Sequence, residues 1–151
     1  MNEEQYSRAN KRVLLAIVVV FGYIAATLML ALGVSQGGHA AKIVMEAVTA
    51  AAVIVISVVA YLGKRTTRTC AVIMTLSMMI GYFVIVQLNT TVGTWTYGLP
   101  LLIVAMVYLD KKIVMVTNGI ALVSIVVYLV RCFLGDGSDP VSYTHLTLPT
   151  I

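Results

Sequence analysis

The chain contains very little charge. Only 11% of its 151 residues are charged, against about 25% in a typical soluble domain. By contrast, 60% are hydrophobic and the mean hydropathy is +0.99. A soluble core cannot absorb this excess, which excludes a soluble globular domain and predicts an integral membrane protein. The net charge of +4 sits in short basic clusters between apolar runs. That pattern is a topology signal, and we expect no nucleic-acid partner.

Residues that commonly carry chemistry are also scarce. The two cysteines, Cys70 and Cys132, fall at the ends of different apolar runs that we place on opposite membrane faces, so we expect no disulfide. No Cys/His spacing predicts a metal site. The sequence has no nucleotide-binding loop, nucleophile motif or phosphate-binding glycine pattern. We therefore predict no catalytic residue, no cofactor and no enzymatic activity.

Long apolar runs dominate what is present. A helix needs about 20 apolar residues to cross the ~30 Å hydrocarbon core, and five runs predict an all-α bundle of transmembrane helices. The first run exceeds the 7–15 apolar residues of a signal peptide, which favours an anchored span. Residues 1–12 are predicted to be a polar cytoplasmic segment and residues 135–140 an extracellular turn. The predicted spans are residues 13–34, 43–62, 70–88, 95–109 and 113–134.

The basic residues predict the orientation of this bundle. Lys42 and Arg131 lie on one predicted side, and the remaining Lys and Arg residues lie on the side of the N-terminus. Lys and Arg are enriched in cytoplasmic loops, so we predict a multi-pass membrane protein with its N-terminus in the cytoplasm. The residues on the cytoplasmic side are Arg8, Lys11, Arg12, Lys64, Arg65, Arg68, Lys111 and Lys112.

The last residues differ in composition from the rest of the chain. Residues 141–150 read VSYTHLTLPT, and these ten residues match a translated transposon mosaic end followed by its sequencing adapter. We predict that residues 141–151 are a non-native tail and exclude them from reasoning about the fold. The natural gene is then expected to continue past Pro140, and five spans would be a truncation of six.

The outer mouth of the bundle is the predicted binding site. Gln87 and Asn89 close span three, where they could donate to a ligand or simply meet headgroups and water. Trp95 and Tyr97 begin span four and suit the interfacial aromatic belt. Together they could line a depression that accepts a small molecule. Plain interfacial anchoring is at least as good an interpretation of these aromatic residues.

Span four itself is short. Its 15 residues would reach about 22 Å at ~1.5 Å per residue. Pro100 removes an amide donor and Gly98 weakens the same turn. Either the helix begins late and leaves a recessed outer loop, or it kinks at Pro100.

Two polar residues lie inside apolar runs. Glu46 is a candidate site residue because an ionisable side chain in lipid is costly. Its alternative role, which we weigh somewhat higher, is an interfacial ion pair with Lys42, one helical turn away. Asn118 is predicted to form a hydrogen bond with a neighbouring helix.

Three segments together resemble a known family. They are MNEEQYSRANKR at the start, RTTRTC between spans two and three, and LNTTVGTWTYGLPLLIVAMVYLDKK through span four. This pattern resembles the N-terminal membrane region of Gram-positive methyl-accepting chemotaxis proteins. The resemblance implies a multi-span sensor in the bacterial inner membrane. This sensor would be joined to a cytoplasmic helical hairpin, which would form a homodimer and carry the methylated glutamates. None of that hairpin is in this sequence.

The sequence thus predicts the truncated input region of a chemotaxis-type receptor, whose partners are the lipid bilayer and a small-molecule ligand. Similar membrane regions precede diguanylate cyclase and histidine kinase modules, so these outputs are alternatives. A fragment of a small transporter is another. Glu46 and the break at Pro100 point towards a transporter, but no internal repeat is visible.

Overall fold

The structure, a computed structural model, describes residues 3–34, 40–88, 98–108 and 110–134. Within these ranges the chain is all-helical, as the sequence predicted. The helices are α1 (Glu3–Val34), α2 (Ala40–Lys64), α3 (Arg68–Leu88), α4 (Gly98–Met106) and α5 (Lys111–Phe133).

Four of these helices are long and apolar enough to cross a membrane: α1, α2, α3 and α5. The fourth helix in the chain, α4, has only nine residues and reaches about 14 Å at ~1.5 Å per residue. The predicted fourth span, residues 95–109, is therefore not a full-length helix in the described residues. The described residues thus contain four helices of spanning length, which indicates a membrane protein.

The first helix extends beyond the predicted first span. It begins at Glu3 instead of residue 13, so most of the polar segment 1–12 forms its first turns. An exposed ion pair between Glu4 and Arg8, one turn apart, supports this start. Ala9 and Asn10 are already buried against the bundle. Hydropathy missed this extension because it is mostly polar.

Pro100 lies near the beginning of the described part of α4. That part begins at Gly98, so Pro100 falls in its first described turn, a position that a proline tolerates because an amide there would have no helical partner. The choice between a late start and a kink at Pro100 depends on residues 95–97, which lie outside the described residues. After Met106 the chain makes one tighter turn, with Val107 and Tyr108 donating to the carbonyls of Val104 and Ala105 at 3.2 and 3.3 Å.

Helix α3 is the centre of the bundle. It contacts each of the other four helices. In its most apolar window 56% of the residues are buried, against 22–28% in the corresponding windows of α1, α2 and α5. The outward faces of those three helices are apolar and exposed, as expected for helices surrounded by lipid.

The interface between α2 and α3 is tight. A Cβ on Gly81 would collide with Cγ2 of Val53 and lie 3.4 Å from Cε1 of Phe21, so the glycine permits this approach. Buried Ser57 and Ser77 share a hydrogen bond of 3.3 Å across the same interface. The small residues at 77 and 81 therefore lie at a helix contact.

Candidate functional site

The predicted mouth is only partly covered by the structure. Asn89, Trp95 and Tyr97 lie outside the described residues. Gln87 and Glu46 lie within them. The description of the site therefore rests on these two side chains and on the residues at either end of segment 89–97.

Gln87 connects α3 to α5. Its Nε2 donates to the carbonyl of Ser124 at 3.2 Å. Arg131 donates through Nη1 to the Gln87 carbonyl at 2.8 Å and to its Oε1 at 3.4 Å. The side chain that was a candidate ligand donor is thus engaged in holding two helices together. We call this group of Gln87, Ser124 and Arg131 the Gln87 tie.

Polar contacts at both ends show that α3 and α5 run parallel. Gln87 and Arg131 are near the last residues of their helices, and Arg68 and Asp110 pair at the beginnings of the same two helices. Both ends of the α3–α5 pair are therefore fixed by polar contacts. Cys70 lies near the start of α3 and Cys132 near the end of α5, so they belong to opposite ends of the bundle.

Glu46 is buried, with 4% of its surface exposed. It lies on the face of α2 that also buries Ala47, Ala50, Val53 and Ser57. Ion pairs among the described residues are Glu4–Arg8 and Arg68–Asp110, and the predicted pair of Glu46 with Lys42 is not one of them. Glu46 therefore faces the helix contacts of the bundle rather than the lipid.

The described residues on either side of segment 89–97 belong to α3 or contact it. Leu88, which precedes the segment, is the last residue of α3, and Gly98, which follows it, is the first residue of α4. Gly98 is buried, and a Cβ there would lie 2.7 Å from the hydroxyl oxygen of Tyr82. Tyr82 itself is only 2% exposed. Sequence reasoning missed Tyr82 because it sits inside an apolar run among similar residues.

The opposite end of the bundle contains a second polar network, which we call the basic end (residues 8–12, 63–68 and 110–112). Asn10 is fully buried, and its Nδ2 donates to the carbonyls of Arg65 and Thr67 at 2.7 and 3.4 Å. Thr67 in turn caps α3, accepting from the Cys70 amide at 3.3 Å. Asn10 thus fixes the turn between α2 and α3 onto α1.

Asp110 connects the basic end to α5. Its Oδ2 accepts from Nε of Arg68 at 2.9 Å, and its Oδ1 accepts from the Lys112 amide at 2.9 Å, which caps α5. Partial burial acts to raise the pKa of this carboxyl, but the hydrogen bond and charge of Arg68 and the amides of Lys112 and Ile113 outweigh it. The pKa of Asp110 therefore lies below its usual value.

Two buried polar atoms at this end have no hydrogen-bond partner among the described residues: Asn10 Oδ1 and the Tyr108 hydroxyl. Asn118, predicted to hydrogen-bond a neighbouring helix, is instead on the exposed side of α5. No hydrogen bond of its side chain occurs within the described ranges, so that prediction is wrong there. Nor do three His, Cys, Asp or Glu side chains of the described residues converge as metal ligands would.

Comparisons with protein-family models, with curated proteins and with solved structures give no match to this chain. The geometry of its own residues is therefore the basis for assigning a function.

Proposed function

We propose that the chain is the membrane input region of a bacterial signal-transduction receptor of the methyl-accepting chemotaxis type. It lies in the inner membrane with the basic end in the cytoplasm, and α4 together with its flanking residues completes a fifth crossing. A small molecule binds at the outer mouth, near Asn89, Trp95 and Tyr97. The output is a cytoplasmic homodimeric module reached through a sixth span.

The observation that carries this proposal is the Gln87 tie. Segment 89–97 begins two residues after Gln87, and Gln87 is hydrogen-bonded to Ser124 and Arg131 of α5. A ligand that repositions this segment therefore moves the end of α3 and, through the tie, the end of α5. Helix shifts of about 1–2 Å are a common way for receptors to pass a signal between helices.

The charge pattern supports the orientation. The residues of the basic end include all Lys and Arg residues of the chain except Lys42 and Arg131. Positive residues collect in cytoplasmic loops. Arg131, on the outer side, is partly buried and occupied by the Gln87 tie, so its charge has a structural role there.

The genomic sequence beyond the codon of Pro140 tests the class of protein. We expect a further span followed by a long heptad-rich helical hairpin. A cyclase or histidine kinase motif in that position would assign one of the alternative outputs. Additional spans with paired intramembrane charges would support a transporter and contradict the receptor proposal.

The ligand site has its own test. Spin labels on the exposed positions Ile80 of α3 and Leu129 of α5 report the separation of the two helices in nanodiscs, once Cys70 and Cys132 are replaced. A panel of amino acids, dicarboxylates and sugars is then added. We expect one class of compound to change the distance by about 1–2 Å. Combined Trp95→Ala and Tyr97→Ala substitutions should abolish the change.

A ligand response that survives these substitutions would place the site elsewhere. Accumulation of a panel compound inside vesicles containing the chain would instead support the transporter alternative.

A further inference from the structure

A groove separates α3 from α5 between their polar ties. It has a volume of about 160 Å³ and begins at Arg68 and Lys112, at the basic end. Its walls include Leu76 and Met79 of α3 and Val116 and Ile120 of α5. These positions extend the groove about two to three helical turns into the bundle, or about 12–16 Å at ~1.5 Å per residue.

The walls of this groove are apolar in practice. Two threonines line it, but each hydroxyl is already bonded to its own helix: Thr75 to the Ala71 carbonyl at 2.8 Å and Thr117 to the Ile113 carbonyl at 2.7 Å. An occupant would therefore find hydrocarbon contacts along the length of the groove. A polar ligand would lose hydrogen bonds to water there without replacing them.

The mouth of the groove is positively charged. Arg68 is half-exposed and uses its Nε for Asp110. Both carboxylate oxygens of Asp110 accept hydrogen bonds from residues of this end. The side chain of Lys112 is exposed, and its described hydrogen bond is made by the backbone amide. Two cations against one carboxylate leave one positive charge at the mouth.

We propose that this groove binds an anionic glycerophospholipid. The phosphate lies against Arg68 and Lys112, and part of one acyl chain lies between α3 and α5. Basic pockets between membrane helices are a known way of recognising anionic headgroups.

An anionic glycerophospholipid fits both the positively charged mouth and the apolar walls of the groove. Its phosphate balances the excess positive charge, and its chain contacts the exposed side of Val116, which is 51% exposed. A zwitterionic lipid such as phosphatidylcholine would bring a third cation, its own ammonium group, close to Arg68 and Lys112. The groove therefore favours a lipid with a net negative charge over phosphatidylcholine.

Native mass spectrometry of the full chain in micelles tests the proposal. Phosphatidylglycerol and phosphatidylcholine are titrated separately, and lipid-bound monomers are counted. We expect one phosphatidylglycerol to bind more tightly than phosphatidylcholine. Lys112→Gln should weaken it about fivefold, the effect of one basic residue near a lipid surface. Lys111→Gln is the matched control, because Lys111 is exposed and adjacent but does not line the groove.

A second variant tests the acyl part. Val116→Phe fills the groove at its exposed rim, and we expect it to weaken binding of phosphatidylglycerol while the helix content by circular dichroism stays unchanged. Glycerophosphoglycerol, the headgroup without chains, should not compete. Equal losses in Lys111→Gln and Lys112→Gln would show diffuse surface attraction and overturn the proposal.

Full competition by the headgroup, or unchanged binding in Val116→Phe, would overturn the acyl-chain assignment and with it the proposal. A dimer that forms without bound lipid and dissociates in Val116→Phe would assign the groove to a second copy of the chain instead.

Discussion

The two sides of α3 are built differently. On the side of α2, Gly81 lets the two backbones approach until Val53 fills the space, and Ser57 bonds Ser77 in the middle of the interface. On the side of α5, polar contacts lie near the two ends of the interface, with an apolar groove between them. A close-packed interface resists sliding because any shift meets hard atoms. An interface held at its ends can change its spacing with less loss of contact.

This difference matters for the proposed signal. If α2 and α3 move as one body, a disturbance at segment 89–97 is directed towards α5. Substitutions at the α2–α3 contact should loosen the tight interface. Substitutions at the Gln87 tie or at the Arg68–Asp110 pair should loosen the interface between α3 and α5.

The largest effect is expected at Gly81. In Gly81→Ala the new methyl meets Cγ2 of Val53, whose branched side chain has little freedom to rotate in a helix. Overpacking of this kind costs about 1–3 kcal/mol. The better helix propensity of alanine returns only ~1 kcal/mol. The measurement is the free energy of unfolding by SDS titration in micelles.

Gly22→Ala is the matched control for Gly81. A Cβ at Gly22 would meet no atom within 4 Å. We expect it to be neutral or to stabilise by up to ~1 kcal/mol through helix propensity. If the two substitutions have the same effect, the tight interface between α2 and α3 does not exist in the membrane.

These two glycines also show what the sequence could and could not predict. Gly22 with Ala26, and Ser77 with Gly81, are the same spacing of small residues, and both suggest close helix contact. Only the second lies at an interface of the described bundle, since Ala26 is exposed and Gly22 has open space. Spacing identifies a face that permits close approach, whereas the neighbour depends on how the helices arrange themselves.

Helix boundaries were more predictable than contacts. Hydropathy placed the starts of α2, α3 and α5 within a few residues because a span in lipid must be continuously apolar. It could not predict that Asn10 is buried, since a polar residue in a polar segment looks solvated. It also gave no sign that Arg68 would meet Asp110, 42 residues away. Such pairs depend on which helices become neighbours.

A medium effect is expected from cutting the Gln87 tie. Arg131→Met keeps the length of the side chain but removes the donor to the Gln87 carbonyl and Oε1. Interhelical hydrogen bonds in membranes contribute ~0.6 kcal/mol on average, and hydrogen bonds to charged groups somewhat more, so we expect a loss of about 1 kcal/mol. SDS titration measures it.

Lys42→Met is the control for Arg131→Met, because it removes the other basic residue assigned to the outer side, where Lys42 is exposed. We expect little change in the free energy of unfolding. A similar loss in both variants would mean that charge at the outer surface, and not the tie, stabilises the bundle. In the spin-labelled protein, Arg131→Met should also reduce any ligand-induced change between Ile80 and Leu129.

The smallest effect on stability is expected at the Arg68–Asp110 pair, the polar contact between α3 and α5 at the basic end. The pH dependence of stability distinguishes the contribution of this pair from others. Asp110→Asn removes the charge opposite Arg68 but keeps a residue that can cap α5. The pair is partly exposed, with 49% of Arg68 and 17% of Asp110 accessible, so we expect a loss of only about 0.5 kcal/mol. Unfolding in micelles at several pH values measures it.

The sign follows from the lowered pKa of Asp110. Ionised Asp110 stabilises the fold above the usual aspartate pKa of ~3.9, and this contribution disappears as the pH falls through the lower pKa of the folded state. The difference between the unsubstituted chain and Asp110→Asn should therefore be constant near neutral pH and shrink in acid. Glu4→Gln removes the exposed pair with Arg8 and should change stability less, because both of its side chains are about three-quarters exposed. A difference that persists unchanged in acid would mean that the charge of Asp110, and with it the pair with Arg68, does not stabilise the fold. The grooved side of α3 would then be fixed mainly at the Gln87 tie, so that α3 and α5 could separate at the basic end.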